Sequence, residues 1–246
     1  MAIKGEPARI LVDVVIPAID EERSIGRVLD DLPFERLREV VVVDNGSTDR
    51  TVAVAKKHGA TVIHEPRRGY GSACLAGLAH LRAKAAPPTI VVFLDGDYSD
   101  HPDELPLLID PIIEDRADLV IGSRMLGDNP RDALLPHSRF GNWLAGMMIR
   151  TLFGVPMTDL GPFRAIDWKR LEELEMEDVD YGWTVEMQAK AAQRGLRYLE
   201  VPASYRKRIG ESKITGTLRG SVKASVKIVY TMLKLRQASS LSSFKS

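Results

Sequence analysis

The feature that most limits how this chain can fold is the run Val40-Val41-Val42-Val43, bounded by Glu39 and Asp44. Four consecutive β-branched residues suit a strand better than a helix, and that strand has no polar face. Both of its faces must therefore be covered. Residues 10–17, 38–44, 61–65, 89–95 and 118–123 all read as strands of this kind. Between them, residues 20–32, 47–59, 71–85 and 101–115 read as helices, the first with Ile25, Val28, Leu29 and Leu32 at helical spacing. This alternation predicts an α/β fold: a mostly parallel, Rossmann-like central sheet with helices on both faces. Ligands of such sheets bind beyond the carboxyl ends of the strands.

After Ser123 the rhythm changes. Residues 124–138 read as a polar loop and 139–154 as a helix; the segment PFRAI (162–166), a helix over 183–195 and a strand-like stretch over 197–208 follow. An amphipathic helix over 221–236 precedes a short polar tail. The 34 basic and 34 acidic residues cancel, but unevenly: from Val201 onward there are ten Lys/Arg and one acid, Glu211. An acidic body with a basic tail points to phosphate groups or an anionic membrane surface, and no nucleic-acid partner is expected. Cys74 is the single cysteine, which excludes an internal disulfide and fits a reducing compartment. No uncharged apolar run reaches the roughly 18 residues that a spanning helix needs, so a soluble or peripherally attached protein is expected.

Carboxyl-rich turns follow three of the strands: Pro17 to Glu22, Asp44 to Asp49, and Asp95 to Asp100. Each alone suits capping, by Asp20, by Ser47 or Thr48 with Asp49, and by Asp100. Capping explains their shared placement at carboxyl ends less well, because turn acids can sit at either edge. Asp95 and Asp97 are alternate residues, so on an extended segment both can approach one divalent ion. Mg²⁺ or Mn²⁺ suits one or two carboxylates plus phosphate oxygens. Five scattered histidines and one cysteine give no zinc spacing. Asp95 and Asp97 are therefore the expected ligands, and Asp100 a helix cap. Gly69 and Gly71 precede a helix N-terminus, as an anion-receiving loop or as a plain glycine turn. Neither a Walker loop nor a GxGxxG fingerprint is present. The basic element from Tyr205 to Lys213 offers arginines for bidentate phosphate contact, or is a solvated loop.

Taken in order, VVIPAIDEE, VVVDNGSTDRT, RRGYGSACLAGL, FLDGDYSDHPDEL, LVIGSRM, DLGPFRAI and YRKRIGESKI resemble the motifs of inverting family 2 glycosyltransferases with the GT-A fold. Within that family the chain is most similar to polyprenyl-phosphate sugar transferases of the dolichol-phosphate mannose synthase type, over roughly residues 10–228. The resemblance implies a GT-A domain over 1–214, with a nucleotide-binding half (1–123) and an acceptor half (124–214), and an appended helix and tail over 215–246. It implies that Pro17, Ala18 and Glu21 border the nucleotide base, with Ile19 and Asp20 where the family usually has Tyr and Asn. Asp44 would read the base or ribose on a turn shaped by Gly46 and Ser47, with Gly71 also on the donor side. Asp95, Gly96 and Asp97 would hold diphosphate and metal, with Ser99 where a Gln is often a further metal contact. Arg124 would face the phosphates or acceptor. DLGPFR matches the segment ending Gly-Phe-Arg, one residue shorter and with Pro162 for Gly. Arg208, with Arg206 as the alternative, Ser212 and Lys213 match the closing basic element, which lacks one residue.

The implied reaction is in-line displacement at the anomeric carbon of a GDP-mannose- or UDP-glucose-type donor, with Mg²⁺ or Mn²⁺ stabilising the leaving diphosphate. A phosphate monoester acceptor needs no strong base, whereas a hydroxyl needs a carboxylate, for which Asp180 and Glu186 are the candidates. Neither sits in a compelling base motif, which favours a polyprenyl phosphate. Asp97, Arg124 and Asp180 are the expected catalytic residues. A soluble hydroxyl acceptor, or a non-catalytic sugar-nucleotide-binding protein, are the alternatives. The stretch around Trp143 and Met147 reads as core or as a membrane-facing surface. Val222, Val226, Val229 and Leu233 form an apolar stripe beside Lys223, Lys227 and Lys234, as in interfacial helices. A cytoplasmic protein touching the inner face of a membrane is expected.

Overall fold

A computed structural model describes residues 10–127, 136–210 and 229–236. Ser212, Lys213, Val222 and Val226 lie outside the described residues. The strands are β1 (Val12–Ala18), β2 (Glu39–Asp44), β3 (Thr61–His64), β4 (Ile90–Phe93), β5 (Leu119–Ser123), β6 (Arg164–Asp167) and β7 (Tyr198–Pro202). The helices are α1 (Ile25–Asp30), α2 (Thr51–Lys57), α3 (Tyr70–Arg82), α4 (Leu105–Ile113), α5 (Pro136–Phe153), α6 (Trp168–Leu174) and α7 (Trp183–Gln193). Residues 229–236 add a helical segment.

The strands form one sheet in the order β3-β2-β1-β4-β6-β5-β7. All neighbours are parallel except β6, which runs antiparallel to both β4 and β5. The valine run behaves as its composition demands. Val40 and Val42 enter a core with Ile25, Val28 and Leu29 of α1, Ala55 of α2, and Leu105, Leu108 and Ile109 of α4. Val41 and Val43 enter the opposite core, with Ala73, Cys74, Leu78 and Leu81 of α3, Leu171 of α6, and Trp183 and Met187 of α7. Fully burying one such side chain contributes about 1.5–3 kcal/mol, so both helical layers are strongly favoured. Gly77 lets α3 lie close on β1, since a Cβ there would meet Val15 Cγ1 at 2.5 Å.

Two elements depart from the expected pattern. α1 starts at Ile25, not at residue 20, because residues 20–24 form turns, with Asp20 at φ 51°. The terminal segment is also oriented differently from the expected stripe. Met232 is fully buried against Ala145, Ile149, Met157 and Val185, whereas Leu233 and Tyr230 are exposed. Of the stripe's two described residues Val229 is half-buried and Leu233 exposed, and the burial of the described segment is carried by Met232.

Candidate functional site

The sheet changes direction of growth at β1, which has β2 on one side and β4 on the other. The carboxyl ends of these three strands deliver Pro17 and Ala18, Asp44, and the turn beginning at Asp95. This is the switch point where open α/β sheets bind ligands.

The first two turns are stitched to one another. Asp20 N–H donates to Ser47 Oγ at 3.0 Å, and Asp20 Oδ1 accepts from the Thr48 N–H at 2.7 Å. Glu21 N–H donates to Thr51 Oγ1, and Glu21 Oε2 accepts from Ser24 Oγ. Asp20 is therefore a cross-link between turns and not a helix cap; Ser24 occupies the cap position of α1 without a side-chain bond. Asp44 accepts from the Ser47 N–H at 2.9 Å and pairs with His64 Nδ1 at 2.8 Å. Burial acts to raise the Asp44 pKa, but the Ser47 and His64 contacts prevail and lower it, so the carboxylate stays charged. Gly46 takes φ 88°, and Arg68 lies over it and donates to its carbonyl.

The third turn holds the Asp-x-Asp pair. Asp97 is buried, its Oδ1 accepts from the Ser99 N–H at 2.9 Å, and its Oδ2 accepts from Arg208 Nη2. Tyr98 between them sits at φ 63°, a left-handed conformation that a bulky side chain rarely adopts, as functional turns often require. Asp95 Oδ1 and Ser99 Oγ are enclosed without a hydrogen-bond partner. Burial raises the pKa of Asp95, against the pull of Arg208, the Tyr70 hydroxyl, Arg124 and Arg164. Gly96 is packed near Pro17 and Ala18, bringing the first and third turns together.

These residues fit a divalent cation. Among the described residues no three Asp, Glu, His or Cys side chains converge as a complete cage. That suits Mg²⁺ or Mn²⁺, which take one or two carboxylates and complete their shell with phosphate and water. Asp95 and Asp97 would hold the ion, a partnerless oxygen remains on Asp95, and a guanidinium on Asp97 already stands where positive charge is wanted.

Asp100 is not the helix cap expected from its position. The helical turn that follows is capped at His101 with no side-chain bond, and Asp100 is buried with a partnerless Oδ2. Burial, then the nearby Asp95 charge, push its pKa up to about 7. A backbone bridge joins Asp100 to Tyr205, and the Arg206 and Ile209 N–H groups donate to the Ser99 and Asp97 carbonyls. The two arginines of this strap separate. Arg206 stacks on Tyr98, 3.6 Å from the ring centre, and donates to the Asp100 carbonyl. Arg208 reaches Asp97.

Arg124 does not extend toward a ligand. It lies over the Tyr205 ring, only partly exposed, and is held by both oxygens of Asp159, which also accepts from Asn142 Nδ2 at 2.6 Å. Burial opposes its charge, and Asp159 more than restores it, so its pKa is raised. Gly71 is likewise not open to an anion. A Cβ on it would lie 1.9 Å from the Asp178 carbonyl oxygen, and one on Gly69 would lie 2.1 Å from that of Val179. The Ser72 N–H at the start of α3 already donates to the Val179 carbonyl. The glycines admit a neighbouring backbone, and so reduce the case for a phosphate there.

Glu186 is also committed. It is buried, paired with Lys190 at 2.8 Å, and accepts from the Glu177 and Asp178 N–H groups. It shapes the loop that covers Gly69 and Gly71, so it is a poor base. Asp180 lies in that loop, where its N–H donates to Asp178 Oδ1. Four residues escaped the sequence reading: Asn45, which holds the 65–69 loop through Glu65, Arg67 and Gly69; Tyr70 beside Asp95; Asp159; and fully buried Arg164, bonded to the carbonyls of Gly161, Leu160 and Thr184. All four stand within the motifs that carry the family resemblance, but nothing local marks Arg164 as buried or shows what the other three bond to.

A Rossmann-like sheet with this acidic edge is the GT-A architecture of glycosyltransferases. Residues 13–174 match the Glycosyl transferase family 2 model. The chain belongs to that family and is a glycosyltransferase. It is 38% identical over 216 residues to an uncharacterized glycosyltransferase of Mycobacterium tuberculosis, covering 86% of this chain and 93% of the relative. It is 33% identical to a dolichyl-phosphate hexose transferase of Haloferax volcanii, covering 82% of this chain and 85% of the relative. Among solved structures it is similar to glucosyl-3-phosphoglycerate synthase from Mycobacterium tuberculosis in complex with Mn²⁺, UDP and glucosyl-3-phosphoglycerate, with TM-score 0.73 and 25% identity, covering 94% of this chain and 81% of that one.

Proposed function

We propose that this glycosyltransferase moves a hexose from a GDP- or UDP-sugar to a polyprenyl phosphate, with inversion. The observation that carries the acceptor assignment is the engagement of Glu186, which leaves Asp180 as the one remaining base candidate from the sequence. An acceptor whose oxygen is already anionic needs neither. Similarity to the dolichyl-phosphate hexose transferase supports the same reading.

In this reading Pro17, Ala18 and Asp44 bind the nucleoside, and Asp95 and Asp97 hold Mg²⁺ or Mn²⁺. That ion, when bound, supplies the positive charge that stabilises the departing diphosphate. Arg208 supplies a second cation beside it. Arg124 acts indirectly, fixed by Asp159 beneath Tyr205, and not as a group on the acceptor. Trp143 and Met147, one turn apart on α5, are 58% and 44% exposed, a fit for peripheral contact with the membrane that carries the acceptor. Among the described residues no helix is long and apolar enough to cross a membrane. In this reading residues 1–214 are the transferase domain and 215–246 an appended helix and tail.

A soluble acceptor is the second reading, favoured by similarity to glucosyl-3-phosphoglycerate synthase. The deciding experiment offers radiolabelled GDP-mannose, UDP-glucose and related donors with Mn²⁺ to polyprenyl phosphate and, separately, to 3-phosphoglycerate. Label moving into organic solvent supports the proposal. Label appearing only in a water-soluble product overturns it.

A further inference from the structure

The cation-binding carboxylate of this site already carries a cation from its own chain. Arg208 Nη2 donates to Asp97 Oδ2. The Asp97 side chain is 4% exposed and that of Arg208 30% exposed, so the pair is only partly screened by water. A divalent ion approaching Asp97 would meet a guanidinium in contact with the ligand oxygen it needs.

The backbone around Arg208 is fixed on both sides. Arg206 N–H donates to the Ser99 carbonyl at 2.9 Å, and Ile209 N–H to that of Asp97 at 3.0 Å. Arg206 is held on Tyr98, whose hydroxyl donates to Asp31 at 2.6 Å, and Arg206 itself lies 3.7 Å from Asp31. The strap therefore has an anchor that does not depend on Arg208. The Arg208 side chain can leave Asp97 by turning about its own bonds while the strap remains in place.

We propose that Arg208 is an internal counter-ion that guards Asp97 against metal until a nucleotide diphosphate arrives. When metal and diphosphate bind together, Asp97 accepts the metal and Arg208 transfers to the phosphates. With metal alone, Arg208 loses its carboxylate and gains no replacement, so binding is weak. The result is strong positive coupling between metal and nucleotide, reciprocal by linkage. This rests on the donor-site reading above but adds an order to it: the metal enters with the nucleotide.

The test is Mn²⁺ binding to the full chain, followed by electron paramagnetic resonance of free Mn²⁺, with and without UDP or GDP. Wild type, Arg208→Gln and Arg208→Lys are compared after thermal melts show that each is folded. Without nucleotide, Arg208→Gln is expected to bind Mn²⁺ at least ~10-fold more tightly than wild type, because one positive charge has left a partly buried carboxylate. Arg208→Lys, which keeps the charge, should stay within about threefold of wild type. The enhancement of Mn²⁺ affinity by nucleotide should shrink in Arg208→Gln by a similar factor. Equal or weaker Mn²⁺ binding by Arg208→Gln, with nucleotide-dependent binding intact in wild type, overturns the guard role and leaves the donor site standing. No Mn²⁺ binding by any form, with or without nucleotide, overturns both.

Discussion

Asp159 holds Arg124 at three N–H groups: the backbone N–H at 2.8 Å, Nε at 2.7 Å and Nη2 at 2.6 Å. The Asp159 side chain is fully buried and that of Arg124 nearly so. Removing the carboxylate alone would break a largely buried ion pair from one side, which costs about 3–5 kcal/mol. Asp159→Ala should therefore lower the free energy of urea unfolding by that amount. A loss below about 1 kcal/mol would mean that Arg124 has another adequate partner.

Gly71 and Asp178 approach closely enough to exclude any side chain. A Cβ at 71 would fall 1.9 Å from a backbone oxygen, which cannot move without displacing the 177–179 loop. Gly71→Ala should cost at least about 1–3 kcal/mol, the usual penalty of overpacking. Gly141, where an added Cβ would meet nothing within 4 Å among the described residues, is the control: Gly141→Ala in α5 should be neutral or stabilising by up to about 1 kcal/mol. Chemical denaturation of both variants checks the contrast.

Asp180→Asn separates the two acceptor classes. With a phosphate acceptor, kcat should stay within about tenfold of wild type, since no proton has to be removed. A drop of about 10²–10⁴ would identify Asp180 as a general base and favour a hydroxyl acceptor. Glu186→Gln should instead show its effect in stability, with a loss of about 3 kcal/mol, because Lys190 is left buried without its partner.

Asp100 makes stability depend on pH in the metal-free protein. Its folded pKa is raised to about 7, so the folded state keeps a proton that the unfolded state releases near pH 4. Its contribution is complete below about pH 4 and is lost as pH rises through about 7. In EDTA, wild type should lose up to about 4 kcal/mol relative to Asp100→Asn between pH 4 and pH 8. Parallel stability curves for the two proteins across that range would show that Asp100 is charged throughout.

Much of the fold was legible because the strands had no polar face. Val40 to Val43 could only be buried on both sides, and the parallel run of β1 to β4 follows from the helices between them, although their order in the sheet does not. β6 was harder: Arg164 to Asp167 gives no sign that it enters between β4 and β5 in the opposite direction. The site divides along the same line. Asp44, Asp95 and Asp97 were readable from their place after buried strands. The engagement of Arg124 by Asp159, and of Gly71 by Asp178, depends on residues 35 and 107 positions apart, which no local pattern encodes. The choice between Arg206 and Arg208 needed the Tyr98 ring, whose position follows from a backbone turn that its sequence does not announce.

The placement of β6 has a consequence for how the molecule is assembled. β1 to β4 lie within residues 12–93 and form one half of the sheet, of which only β4 pairs beyond it, with β6. β5, although next in sequence, has no partner until β6 has been made, since β6 fills the gap between β4 and β5. Emerging from the ribosome, the nascent chain can therefore complete the half with Asp44 and Asp97 long before residue 208 exists. The arginine that covers Asp97 is thus among the last parts of the site to be made.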